Sequence, residues 1–270
     1  MVGGTVSYVE VSSHPSNKVG DMVLSHCGWQ DYAISDGKGL IKFNVDKHHP
    51  TLALGVLSMA GFTAYMGFLN IGQPKSGDPV VVAAASGTAG VVVEQIAKIK
   101  QCRAIGSVEE PEKCRYVVDV LGLDACIDHS SPDFSKQLAV ACPKGIDVYF
   151  KNVSGAVFDA VLPMLNTKMR IPLCGLVANY NDTALPKLPD RLGLLTSTIL
   201  SKCHKLQAFF IFEDYAPYFP KFFGQISAWL WENRIKYRED IVDGLKNAPE
   251  ALIGLSKRKS FGKLIIRVSD

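Results

Sequence analysis

Apolar positions change their rhythm near residue 79. Before it, short β-branched and aromatic runs, Gly4-Thr5-Val6-Ser7-Tyr8-Val9-Glu10-Val11 and Met22-Val23-Leu24, alternate with turn residues and predict a small β-rich lobe. After it, Val80-Val81-Val82-Ala83-Ala84-Ala85 is a continuous apolar run ending at Gly87, followed by residues 89–100 with Val92, Val93, Ile96 and Ile99 at helical spacing. The alternation then repeats: strand 103–107, helix 112–121, strand 125–127, helix 133–141, strand 146–150, helix 157–165 and strand 170–174. Strands apolar on both faces, alternating with helices of this length, predict a parallel sheet covered on both sides, the order of a doubly wound α/β fold. Further along, the pattern predicts a proline-bearing surface loop over 181–193, a hydrophobic helix through residue 200, a helix over 219–232 with aromatics on one side and a closing strand over 261–268. The run Leu206-Gln207-Ala208-Phe209-Phe210-Ile211 reads equally as an edge strand or a buried one.

Residues 51–74 carry no charge and are long enough to cross a bilayer. Gly55, Gly61, Gly67, Gly72, Thr63, Asn70 and Gln73 interrupt them, so a buried helix pair is expected there and no membrane partner. With 270 residues, 47% hydrophobic and 20% charged, the composition is that of a globular protein with a core of its own. Lys plus Arg exceed Asp plus Glu by only 29 to 26, without a basic block, so no nucleic-acid partner is expected. The seven cysteines have no C-x-x-C spacing and no signal peptide precedes them, which reads as reduced thiols in a cytoplasmic protein. Neither they nor the six histidines have the spacing of a zinc site, and no Gly-x-Ser-x-Gly elbow offers a serine nucleophile.

The strongest local chemistry is Ala84-x-x-Gly87-x-x-Gly90, where the first long strand meets its helix. A dinucleotide pyrophosphate settles at the positive end of a helix, and glycines let the backbone approach it; here alanine takes the place of the first glycine of the usual pattern. An acid about 20 residues further on would hold the adenine ribose hydroxyls of NAD, whereas a base would meet the extra phosphate of NADP. Glu109 and Glu110 stand at that distance and Lys113 follows them, so spacing alone leaves both cofactors open.

With this order of elements, the phrases Gly28-Trp29-Gln30-Asp31-Tyr32, Gly61-Phe62-Thr63-Ala64-Tyr65-Met66-Gly67, Cys174-Gly175-Leu176-Val177-Ala178-Asn179-Tyr180-Asn181 and Phe261-Gly262-Lys263 resemble the zinc-independent medium-chain dehydrogenase/reductases. Within them the chain is similar to the leukotriene B4 dehydrogenase, prostaglandin reductase and bacterial curcumin reductase branch. The resemblance implies a Rossmann doubly wound parallel sheet over 56–235 and an incomplete GroES-like β-barrel lobe made of 1–55 and a C-terminal return over 236–270. It implies a homodimer and NADP(H)-dependent reduction of the carbon–carbon double bond of a small-molecule enone or enal, by hydride transfer to the β-carbon.

By position it implies cofactor contacts at Gly87, Ala89, Gly90, Lys113, His129, Asn152, Cys174, Gly175, Tyr180, Phe209 and Ser260. Lys113 would meet the 2′-phosphate, which turns the open choice toward NADP. Tyr180 would be the catalytic donor to the carbonyl oxygen, where negative charge builds as the hydride adds. Departures also follow from the resemblance. Relatives carry a leading segment before the position of Met1, small or neutral residues at Glu109 and Glu110, an acid at Lys151, a glycine at Ser154 and an asparagine at Ser260. Two carboxylates beside a 2′-phosphate would repel it. The alternative reading is therefore a truncated, catalytically impaired nucleotide-binding or dimerising relative.

Overall fold

The structure is a computed structural model that describes residues 3–43, 49–176, 183, 192–257 and 259–269; most of the expected loop over 181–193, including Tyr180 just before it, lies outside them. The chain divides into two compact units, one of Met1–Ala60 with Arg238–Asp270 and one of Gly61–Tyr237.

The first unit opens with β1 (Thr5–Tyr8), β2 (Met22–Ser25) and β3 (Ile41–Lys42), which form an antiparallel sheet in the order β1-β2-β3. Met22, Val23 and Ser25 are its buried residues, and the first two belong to the apolar run that predicted a strand there. The helix pair expected over 51–74 is instead a single 3-10 turn at Pro50–Ala53 and one helix, α1 (Met59–Met66), prolonged by a π-helical turn at Gly67–Gly72. Ser58 explains the break. Its hydroxyl donates to the Gly55 carbonyl and accepts from the Ala60 amide, ending one turn and starting the next helix.

The second unit follows the predicted alternation: β4 (Pro79–Ala83), α2 (Thr88–Ile99), β5 (Arg103–Val108), α3 (Pro111–Arg115), β6 (Ala125–Asp128), α4 (Phe134–Ala141), β7 (Ile146–Phe150), α5 (Ala156–Val161) and β8 (Leu165–Leu173). Then come α6 (Leu192–Lys202), β9 (Lys205–Ala208), α7 (Ile211–Tyr215) and α8 (Phe219–Trp231). Six parallel strands lie in the order β6-β5-β4-β7-β8-β9. The chain steps outward from β4 to β6, returns beside β4 as β7 and steps outward again, so the two halves part between β4 and β7. Ligands of such sheets bind at that switch point, outside the carboxyl ends of the strands.

Burial agrees with the pattern at the centre and departs from it at the edges. All five residues of β4 are buried, whereas β9 is exposed at both ends. The 206–211 run is thus an edge strand, shorter than its apolar residues suggest. One face of the sheet packs Ile105, Phe134, Leu138, Ile146, Tyr149 and Leu165 into a single cluster. Elsewhere in the unit the apolar side of α8 meets α1 through aromatic rings, with Phe62 5.2 Å from Phe219 and 5.1 Å from Phe222 between centroids.

The chain ends in β10 (Glu239–Asp243), α9 (Ala248–Ser256) and β11 (Lys263–Arg267), with β10 and β11 paired in parallel in the first unit. Among the described residues, no helix is long and apolar enough to cross a membrane.

Candidate cofactor site

At the switch point, β4 ends at Ala83 and the chain turns through Ala84, whose φ of 54° lies in the left-handed region that glycine usually fills. The Gly87 amide closes the turn on the Ala84 carbonyl at 3.0 Å, and α2 starts at the next residue with Gly87 as its cap. No side chain caps this helix end and its first turn holds no acid, so the amides of Thr88, Ala89 and Gly90 present the positive end of the helix bare. Gly90 sits so close to the strand that a Cβ there would lie 2.3 Å from the Ala84 carbonyl oxygen; at Gly87 the distance would be 3.2 Å. Unblocked amides behind a backbone that only glycine can approach fit the pyrophosphate of a dinucleotide.

The carboxyl ends of β5 and β6 bring the next candidates together. Lys113, in α3, is 7% exposed and its Nζ lies 3.5 Å from Glu110 Oε1. His129 follows β6; its amide donates to the Val108 carbonyl, Nδ1 lies 3.2 Å from Ser107 Oγ and Nε2 lies 3.4 Å from Glu109 Oε1. Each glutamate expected to repel a phosphate therefore stands beside a basic side chain. Sequence reading missed the contacts of His129 with Glu109 and Ser107, since neither spacing nor residue type announces a contact between the ends of two strands, and it also passed over the local i,i+3 pair of Glu110 with Lys113.

On the other side of the switch point, Asn152 Nδ2 donates to the Ala83 carbonyl at 2.9 Å and ties the end of β7 to the end of β4. The amides of Cys174 and Gly175 both donate to the Lys151 carbonyl, at 3.0 and 3.1 Å, which holds the chain leaving β8 against the same place. Burial pushes the Cys174 thiol up to about 11, so it is a neutral packing group and a poor nucleophile at neutral pH. Phe209 follows β9 and packs against Gly67, where an added Cβ would come 2.7 Å from its ring. Ser260 belongs to the first unit, between α9 and β11, and Tyr180 falls among the undescribed residues.

Lys151 is the unexpected member. It is 4% exposed, donates to Ser154 Oγ at 2.7 Å and lies 5.1 Å from the Phe158 ring centroid. Burial pulls its ammonium down to about 8. Between that pH and the usual lysine value near 10.5 the unfolded chain holds a proton the folded chain has released, so this group makes stability rise with pH across that window. Lys151→Met should stabilise the chain at pH 7 by about 1–2 kcal/mol, allowing for the lost ring and hydroxyl contacts, with the gain fading above pH ~10. Urea unfolding midpoints at several pH values check this; an equal shift at all pH values would rule out the ammonium as the cause.

Family models match residues 1–43, described as the N-terminal domain of oxidoreductase, and residues 89–216, described as zinc-binding dehydrogenase. The NADPH-dependent curcumin reductase of Escherichia coli (strain K12) is 55% identical over 269 residues, covering 100% of this chain and 78% of that protein. The chain belongs to the medium-chain dehydrogenase/reductases. Within this family, the crystal structure of CurA from Vibrio vulnificus in complex with NADPH is 54% identical with a TM-score of 0.96, over 100% of this chain and 80% of that one. The 2-alkenal reductase (NADP(+)-dependent) of Nicotiana tabacum is 34% identical over 272 residues, covering 100% of this chain and 77% of its own length. In this medium-chain reductase the described residues include no group of three or more His, Cys, Asp or Glu that could hold a metal ion.

Proposed function

We propose that the chain reduces the carbon–carbon double bond of α,β-unsaturated ketones or aldehydes at the expense of NADPH. The observation that carries this reading is the 55% identity, along the whole chain, to an NADPH-dependent curcumin reductase. The geometry of the switch point supports it. Ala89 and Gly90 receive the pyrophosphate on bare amides, Gly87 lets the backbone come close to it, and Lys113 meets the 2′-phosphate, with His129 nearby. Asn152, Cys174 and Gly175 line the nicotinamide end, joined by the hydrogen bonds to the Ala83 and Lys151 carbonyls, and Phe209 and Ser260 complete the cofactor contacts.

When bound, NADPH supplies the hydride for the β-carbon. The chain's part is to orient the two reactants, exclude water and place a donor at the substrate carbonyl oxygen, the role proposed for Tyr180. The domain division proposed is a catalytic lobe of 1–55 and 236–270 and a cofactor domain of 56–235.

The active form proposed is a homodimer. The exposed edge strand β9 supports it, with Leu192, Leu194 and Leu200 exposed on α6 and Phe210 after the strand. Seven unpaired thiols suit a reducing, cytoplasmic compartment.

The test follows NADPH consumption with a panel of enones and enals, together with NADPH and NADH titrations read by nicotinamide fluorescence on a size-fractionated sample. Turnover with NADPH and tighter binding of NADPH from a dimer peak is expected. Binding without turnover on any enone or enal would reject the catalytic reading, and a purely monomeric active species would reject the dimer.

A further inference from the structure

Two opposed ways of recognising one ribose meet at the carboxyl end of β5. An acid at this place accepts a hydrogen bond from a free 2′-hydroxyl, and a base pairs with a 2′-phosphate. This chain carries both and joins them in one ion pair, Lys113 Nζ to Glu110 Oε1 at 3.5 Å. The two partners are unequal: the lysine side chain is 8% exposed and the glutamate's 59%. The lysine is held in place by its surroundings, and the carboxylate is the partner with room to leave. Glu109, for its part, stands 3.4 Å from His129 Nε2.

The backbone of Glu110 adds an independent observation. It sits at φ 76°, ψ 131°, a region that side-chain-bearing residues rarely enter and that costs on the order of 1–3 kcal/mol. Its surroundings pin it there. The Glu110 amide donates to the Asp128 carboxylate, and the Glu110 carbonyl accepts from the Cys114 amide at 3.3 Å. A strained residue is thus fixed where its carboxylate reaches the buried Lys113 at the ribose end of the site.

We propose that Glu110 is a cofactor-selecting residue: its carboxylate neutralises Lys113 when the ribose bears no phosphate and must leave the lysine when a 2′-phosphate enters, which narrows the preference for NADPH over NADH. The inference rests on the NADPH reading above. A displaced carboxylate still stands within a Debye length of the phosphate, so its repulsion persists at physiological salt. For NADH the same carboxylate is an acceptor for the ribose hydroxyl, so its removal acts on the two cofactors in opposite directions.

The experiment measures Kd for NADPH and for NADH by nicotinamide fluorescence, and the melting temperature without nucleotide, for the full chain and for Glu110→Gln and Glu110→Gly. Glu110→Gln keeps the size and the backbone strain and removes only the charge. It should raise the NADPH-over-NADH affinity ratio about tenfold, as expected for one unit charge a few ångströms from a phosphate at intermediate dielectric. Glu110→Gly should change the ratio equally and also raise the melting temperature, because glycine adopts this backbone freely. A ratio within about twofold of the unaltered chain in Glu110→Gln, with NADPH still bound, overturns the proposal. So does a shift seen only in Glu110→Gly, which would assign the effect to the backbone. Failure of the unaltered chain to bind NADPH would instead overturn the NADPH reading and remove this inference with it.

Discussion

Gly90→Ala is expected to destabilise the chain by about 3 kcal/mol or more and to abolish NADPH binding. The added Cβ would lie 2.3 Å from the Ala84 carbonyl oxygen and 2.9 Å from both Ala85 Cα and the Ala85 carbonyl oxygen. All three are backbone atoms, so no side chain can swing aside to make room. The turn is also tied down: the Gly87 amide bonds to the Ala84 carbonyl at 3.0 Å and the Ala85 amide to the Ser107 carbonyl at 3.2 Å. Relief would require α2 to withdraw from β4, which opens the buried contacts of Val91, Val92 and Val93 and carries the helix amides away from the pyrophosphate. Gly87→Ala is the milder control, with its nearest contact at 3.2 Å. Thermal melting and nicotinamide fluorescence check both variants. A Gly90→Ala chain melting within about 2 °C of the original would show that the helix gives way more easily than this packing implies.

Lys113→Ala should weaken NADPH binding about 30- to 100-fold and leave NADH binding nearly unchanged. A charge-assisted bond to a phosphate contributes about 1.5–3 kcal/mol, and removal of the lysine also leaves the Glu110 carboxylate facing that phosphate without its partner. The double variant Lys113→Ala/Glu110→Gln should regain part of the loss for NADPH. The affinity of the unaltered chain for NADPH should also fall with added salt more steeply than its affinity for NADH. Equal weakening of both cofactors in Lys113→Ala would mean that this buried side chain serves the fold of α3 and not the phosphate.

Local pattern carried the reading wherever the structural cause is itself local. The strand of Val80, Val81 and Val82, the glycine turn after it and α2 form one continuous segment of apolar run, breaker and helical period, and they fold as read. So does α8, whose aromatic stripe meets α1. By contrast β10 and α9 left no readable signal. The β10 sequence Glu239-Asp240-Ile241-Val242-Asp243 is largely polar and half-exposed, and it is a strand because β11, about twenty residues later, lies beside it in register. The helix pair expected over 51–74 was misread for a related reason: the apolar content was visible, but the Ser58 hydroxyl that separates turn from helix acts through two backbone hydrogen bonds.

At the site the division is similar. The glycine turn proposed to take the pyrophosphate was legible because a helix start and its glycines are neighbours in sequence. The state of the charged residues around it was not. Glu109 and Glu110 looked like two bare acids in one place, yet His129, brought alongside by the pairing of β5 with β6, stands against one and Lys113 against the other. Lys151 was read only as a base at a position where relatives carry an acid. The chain leaving β8 bonds to its carbonyl and Phe158 stands under its ammonium, so the charge is enclosed and its proton loosened. By itself the sequence determined the alternating α/β order and the glycine turn with its bare helix start, because these follow from periodicity, breakers and residue type along a continuous stretch. Only the tertiary structure decided that His129 stands against Glu109 and that Lys113 and Lys151 are buried, because desolvation and Coulomb attraction depend on distances between segments that chain order does not contain.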